Sequence, residues 1–413
     1  MKDPRRSLLL LLTFFSLIGK SAFLWAEDEN YQAYPLGEEA SSMGGAYTAL
    51  SESADGTFYN PSGIARVSHS SVNLSASAFR LTKGTVANGI ALTPTRRAGY
   101  PVSAVQVIPT STVILKKFKS GKAVAFSVHL PDSILFTGKT DIENVFFSQQ
   151  LSNQTLWIGP TYAQPVTDRL SVGGSLYFLD RTFYRELYTR VDGTPATHQF
   201  SSTNASYLGL LPILGAKYDL TDHWKVGATV RPYYSIRLGG TAEINTSTTA
   251  AKTTLSGLEV DSPTPIRADF GIAYRVPGVW TVSGDASVNL PHTFVQIHDP
   301  QGRVGDGSVT QELTINAALG MEYYITKTLP FRCGLFTDLS SAPELPEASA
   351  TVRSRTDNIG FTTAVGYLTE NTTMSIGLLY SLGLGKTTDP ADVPASFLMH
   401  NINISFAGSY RFQ

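Results

Sequence analysis

Cysteine is almost missing from this 413-residue chain: Cys333 stands alone, which excludes an internal disulfide framework and any multi-cysteine metal site. Charge is scarce too. Only 16% of residues are Asp, Glu, Lys or Arg, and the formal net charge is −1. That balance lacks the basic excess of a nucleic-acid binder, so no nucleic-acid partner is expected. No apolar run reaches the roughly 18 residues of a membrane-spanning helix; the longest, Leu8–Ile18, falls short. The seven histidines are scattered without HExxH or HxH spacing, and no GxSxG elbow occurs. His292, His298 and Asp299 share one connection that reads as solvated rather than metal-binding. Leu384-Gly385-Lys386-Thr387 ends like a phosphate-binding loop, but Tyr380 stands where its first glycine belongs. No catalytic residue, no metal and no cofactor are therefore expected.

The N-terminus has the parts of a signal peptide over residues 1–26. Lys2, Arg5 and Arg6 form its basic end, Leu8–Ile18 its apolar core, and cleavage is expected after Ala26. An uncleaved anchor is the other reading of the same stretch.

What the chain has in plenty is Gly, Ser, Thr and aromatic residues, a profile of strand formers. From Ser71 onward the dominant period is two. Ile402, Ile404, Phe406, Gly408, Tyr410 and Phe412 alternate with Asn401, Asn403, Ser405, Ala407, Ser409 and Arg411, so the two sets face opposite sides of a strand. A soluble sandwich shows the same alternation; the connections separate the two. The sequence divides into 14 candidate strands, near 71–82, 101–117, 122–131, 154–165, 170–186, 205–219, 224–240, 264–276, 279–291, 312–326, 330–339, 358–369, 372–385 and 397–412. Turns after even-numbered strands are short, such as Pro277-Gly278 and Glu370-Asn371, whereas those after odd-numbered strands run to about 10–22 residues. Short turns on one rim and long loops on the other are the habit of an outer-membrane barrel with an even strand number. Tyr233-Tyr234, Trp224, Trp280 and Tyr323-Tyr324 fall near strand ends, where aromatic girdles sit.

The expectation is an all-β, transmembrane, antiparallel β-barrel of about 14 strands over residues 71–413, in a bacterial outer membrane. Short turns and both termini would be periplasmic, long loops external, and Thr246–Thr254 a flexible external loop. Residues 27–70 would be an N-terminal hatch plugging the lumen. Their distinctive part is Ser41–Val67, where small residues (Gly44, Gly45, Ala46) lead to Phe58 and Tyr59 and then to the turn Asn60-Pro61 closed by Gly63. Gly lets backbone approach backbone, and Asn-Pro forces a non-helical turn.

Gly44, Gly45, Ala46, Asn60, Pro61 and Gly63 form the expected hatch and gating set, with Asn60-Pro61 fixing the turn rather than touching a ligand. Phe58 and Tyr59 on the hatch, with Arg231 and Arg237 on the polar phase of one strand, are the candidate ligand contacts. Arginine holds a carboxylate in bidentate fashion; the alternative partners are Asp269, Glu322, Glu52 and Asp55 within the protein. Pro131 lacks the N–H that a ladder needs, which marks either a strand kink that opens the wall or simply a strand end.

Met43-Gly44-Gly45-Ala46-Tyr47-Thr48-Ala49 and Tyr59-Asn60-Pro61-Ser62-Gly63, with the blocks Pro265–Tyr274 and Phe361–Tyr380, resemble the FadL/OmpP1/TodX family of outer-membrane transporters. Ser62 stands where that family usually has Ala. The resemblance implies a 14-stranded barrel with a hatch, and a hydrophobic ligand, a long-chain fatty acid or an aromatic hydrocarbon, captured by external loops. It also implies exit sideways through a kinked third strand, where Pro131 falls. Outer-membrane lipid and, during biogenesis, the barrel-assembly machinery would be its other partners, and the protein would be monomeric. The alternative function is a plugged barrel that binds a partner in protein secretion or surface assembly.

Overall fold

A computed structural model describes residues 30–412 except 33, 94–95, 194, 345–353 and 389–393. The expected signal peptide (1–26) and the first residues of the expected hatch lie outside the described residues.

Among the described residues fourteen barrel strands follow one another in chain order. The first six are β1 (Ser70–Thr93), β2 (Arg96–Lys117), β3 (Ala123–Ile142), β4 (Val145–Pro165), β5 (Leu170–Val191) and β6 (Thr197–Asp219). The next four are each interrupted: β7 (Trp224–Arg231, Ile236–Thr248), β8 (Lys252–Val260, Arg267–Val276), β9 (Trp280–Asn289, His292–His298) and β10 (Gly307–Gln311, Thr314–Thr326). The last four are β11 (Leu329–Asp338), β12 (Ser354–Leu368), β13 (Thr372–Thr388) and β14 (Pro394–Phe412). Neighbours pair antiparallel, and β1 pairs with β14 from Ser70↔Phe412 to Ala87↔Ser396, which closes the ring.

Alternation explains the wall. Leu74, Ile114, Phe126, Leu176, Leu214, Phe270, Leu319, Leu335 and Ile376 point outward and are exposed, while their neighbours in sequence turn inward. An apolar outer face and a polar inner one are stable only with lipid outside. Toward the short-turn rim the outward face carries Tyr162, Tyr218, Trp224, Trp280, Tyr323, Tyr367 and Tyr410, an aromatic girdle.

The expected long loops are largely strand. β1 runs on to Thr93, Glu143-Asn144 alone separates β3 from β4, and Thr246–Thr254 is a hairpin closed at 249–251. Beyond the bilayer both faces meet water, so apolar alternation stops although Ser- and Thr-rich backbone still pairs. The turns on the opposite rim are short, as expected.

Two irregularities shape the interior. Prolines without N–H groups interrupt three adjacent strands: Pro232 in β7, Pro263 and Pro265 in β8, and Pro291 in β9. On the other side, β2 and β3 pair from Lys117↔Ala123 to Ser111↔His129 and resume only at Ser103↔Thr137. Residues 104–110 and 130–136 do not pair with each other, although β2 stays paired to β1 and β3 to β4, and the β3–β4 register slips between His129 and Asp132, at Pro131.

The N-terminal segment fills the lumen. It holds two single-turn helices, α1 (Glu39–Ser42) and α2 (Gly56–Tyr59), and a 3₁₀ turn over Pro61–Arg66. Its core residues Leu36, Ala40, Met43, Ala46, Ala49, Ile64 and Ala65 are buried.

Candidate functional site

The plug touches the wall with its backbone because both sides lack side chains at the contacts. Gly44 has φ +67° and a Cβ there would meet the Leu335 backbone; Gly45 has φ +85°. On the wall, a Cβ at Gly173 would meet Pro61, at Gly215 and Gly227 the Asn60–Thr48 contact, at Gly320 Met43, and at Gly334 Met43 and Gly44. Ala46 is fully buried and its carbonyl accepts from Ser283 Oγ at 2.7 Å.

Asn60 is the hub of the turn. It is extended (φ −154°, ψ 101°), as the residue before proline must be, and Pro61 opens the 3₁₀ turn. Its Oδ1 accepts from Ser62 N (3.2 Å) and Ser62 Oγ (2.6 Å), while Nδ2 donates to Thr48 O (2.8 Å) and to Ala216 O on β6 (3.0 Å). Gly63 has no room for a Cβ beside Ser51.

Polar wall residues hold the plug as well. Asp285 Oδ2 on β9 accepts from Tyr47 N (2.9 Å) and Thr48 N (2.7 Å). Glu52 meets Lys217 and Lys225 at 2.8 Å and Arg275 at 2.9 Å. Burial opposes its ionisation, but Lys217, Lys225 and Arg275 outweigh it and hold the carboxyl down to about 2. Asp55 accepts from the backbone N–H groups of Glu38, Glu39 and Ala40 within the plug; burial nevertheless pushes it up to about 6. Burial and the neighbouring Glu39 push Glu38 up to about 8.

Above the plug lies a cavity of about 70 Å³, lined by Phe58, Tyr59, Gly44 and Gly45 from the plug and by Arg231, Arg267, Asp269, Asp285, Asn316, Phe336 and Asp338 from the wall. That is room for a few waters or one small polar head. Arg231 ends the first half of β7, just before Pro232, and is 4% exposed. Its guanidinium lies 5.0 Å from the Trp157 ring and 5.8 Å from that of Phe58. It makes no hydrogen bond or ion pair among the described residues, and its Nε is buried without a partner. The acids that offered alternatives are occupied: Asp269 with Arg267 (2.7 Å), Glu322 with Arg332 (2.7 Å), Glu52 as above.

Arg237 is not brought to this cavity. The break at 232–235 separates it from Arg231, and its side chain joins Val260 O (2.8 Å) and Glu259 (3.6 Å) on the wall. Phe58 packs on Trp157, Tyr59 and His129, and the Tyr59 hydroxyl accepts from Leu36 N at 2.9 Å.

Apolar surface continues outward from the cavity. Tyr34, Phe58, Ile108, Trp157 and Leu211 pack together with Leu130 at their edge. Further out, Leu151, Phe183, Tyr207, Ile244 and Val260 pack with Ile134 and Phe136. Leu130, Ile134 and Phe136 all belong to the stretch of β3 that does not pair with β2. Sequence reasoning missed Asp285, Lys217 and the wall glycines. The one available signal was glycine recurring on the inward phase of successive strands.

A closed fourteen-stranded barrel with a lipid-facing band and a plugged lumen is a membrane transport barrel. The chain belongs to the OMPP1/FadL/TodX family of outer-membrane transport proteins, whose model (Outer membrane protein transport protein) matches residues 32–389. It is similar in fold to a Pseudomonas aeruginosa FadL homologue (TM-score 0.67, 11% identity, 93% of this chain and 100% of that one). It is likewise similar to the P. putida toluene transporter TodX (0.64, 15%, 94% and 100%) and the Ralstonia pickettii toluene transporter TbuX (0.63, 16%, 93% and 99%). Comparison with curated protein sequences finds no match. The family and these neighbours are transport channels rather than enzymes, and nothing among them favours the secretion-factor reading.

Proposed function

We propose that this outer-membrane transporter carries amphiphilic hydrophobic compounds of the long-chain fatty acid type. The observation that carries the reading is Arg231, a buried guanidinium set against the Trp157 and Phe58 rings, in no ion pair or hydrogen bond among the described residues, and facing a cavity the size of a polar head. A guanidinium so placed gains charge-assisted hydrogen bonds from a carboxylate. The apolar residues beyond it offer burial to a tail.

In this reading external hairpins on the long-strand rim capture the ligand, and both termini lie on the periplasmic side. Phe58, Tyr59 and Arg231 hold the ligand above the plug, whose set Gly44, Gly45, Ala46, Asn60, Pro61 and Gly63 controls passage. The tail then leaves sideways through the unpaired interval of β2 and β3 that Pro131 begins. No energy source is required beyond diffusion and plug rearrangement. The test is to purify the protein in a detergent that does not compete for the site and to identify co-purifying molecules. An acidic amphiphile that is retained by the wild type and lost from Arg231→Gln supports the reading; repeated absence of any ligand, with no uptake defect on deletion, rejects it.

A further inference from the structure

Arg80 stands in β1, yet its guanidinium works two strands away. Nη1 donates to the carbonyl of Ser133 on β3 at 2.7 Å, so the side chain passes behind β2 inside the unpaired interval. The residue is 6% exposed, and its Nε is buried without a partner. Arg80 makes no ion pair within 4 Å among the described residues; Asp132, next to Ser133, faces Arg181 at 3.8 Å and acts on Arg80 only at longer range. Tyr34 of the plug completes the arrangement. Its ring lies 5.1 Å from the Arg80 guanidinium, and its hydroxyl donates to Leu130 O at 2.7 Å. Two β3 carbonyls within this interval are thus taken by one cation and one plug hydroxyl.

A buried guanidinium whose hydrogen-bond partner is a neutral carbonyl exchanges that partner favourably for a carboxylate, which binds roughly twice as strongly and in bidentate fashion through Nε and Nη. Arg231 lies in the central cavity, whereas Arg80 lies at the wall, at the interval between Ser111↔His129 and Ser103↔Thr137 where the β2–β3 ladder is interrupted.

We propose that Arg80 and Tyr34 form a carboxylate-reading latch on this interval. The carboxylate of an amphiphile takes the place of Ser133 O on Arg80, the guanidinium leaves β3, and the interval is freed for the tail. A neutral hydrocarbon has nothing to offer Arg80 and leaves the latch shut. This rests on the transport reading above and adds a charge requirement at the exit.

The test compares initial uptake of oleate with that of oleyl alcohol, which shares its tail, in cells expressing the full chain. Wild type, Arg80→Gln, Arg80→Lys and Tyr34→Phe are measured, with heat-modifiable gel mobility verifying the folded barrel. Arg80→Gln is expected to lower the oleate-to-alcohol ratio by about tenfold, the worth of one charge-assisted contact. Arg80→Lys retains part of the ratio, and Tyr34→Phe lowers it by admitting the alcohol. If Arg80→Gln does not fold, Tyr34→Phe carries the test. A ratio that neither folded variant moves overturns the latch and leaves transport standing; uptake of neither compound by the wild type overturns both.

Discussion

Glu52→Gln is the sharpest perturbation of the plug's seat. The glutamate faces three wall cations at 2.8–2.9 Å, and the Lys217 side chain is 0% exposed. Without Glu52, Lys217 keeps the Ala49 carbonyl at 2.8 Å and Asp219 at the longer 3.6 Å. Removing one partner of a buried pair costs about 3–5 kcal/mol. Glu52 itself is 19% exposed and Asp219 remains, so the lower figure applies. At about 1.4 kcal/mol per decade, a cost of ~3 kcal/mol raises the displaced-plug population on the order of 100-fold. The strand ladder is untouched, so barrel unfolding should not move. Planar-bilayer recordings would show frequent large openings in Glu52→Gln where the wild type stays closed. The wild type should show the same openings on acidification: the folded carboxyl lies at about 2, below its ordinary value, so its stabilisation is present above that ordinary value and fades as pH falls toward about 2. A variant as closed as the wild type at neutral pH would refute the electrostatic seat.

Asn60→Ala removes the side-chain donor to the Thr48 and Ala216 carbonyls, each hydrogen bond being worth about 0.5–1.5 kcal/mol, and leaves Thr48 O only the longer contact from Ser51 Oγ at 3.4 Å. It should therefore raise conductance while leaving fatty-acid affinity within a few-fold; a closed pore with normal uptake would contradict this. Glu38 is pushed up to about 8, so its protonated form favours the folded plug, and that contribution is complete below the ordinary carboxylate value and lost as pH rises through about 8. Hydrogen exchange of plug amides should accelerate across that window in the wild type and lose the step in Glu38→Gln.

The strands were legible because lipid on one face and lumen on the other impose the period of two on each span, as in 401–412. The outer hairpins were not, since water on both faces removes the apolar signal while backbone pairing persists from β1 into β2. Arg231 was visible by its phase in β7. Its separation from Arg237 was not, because Pro232 and Tyr234 continue the alternation through a break that exists only in the ladder. Asp285, Lys217 and Arg80 act on partners far along the chain, and periodicity carries no such pairing.

A fatty acid bearing a photoreactive group near its carboxylate tests the central claim most directly. After irradiation of the full protein in membranes, labelled peptides are mapped by mass spectrometry. Labels on Phe58–Tyr59, Trp157 and the Lys225–Arg231 stretch, competed by unlabelled oleate and lost in Arg231→Gln, are the predicted result. Labels confined to the lipid-facing band around Phe270, Leu319 and Leu335 would contradict the account.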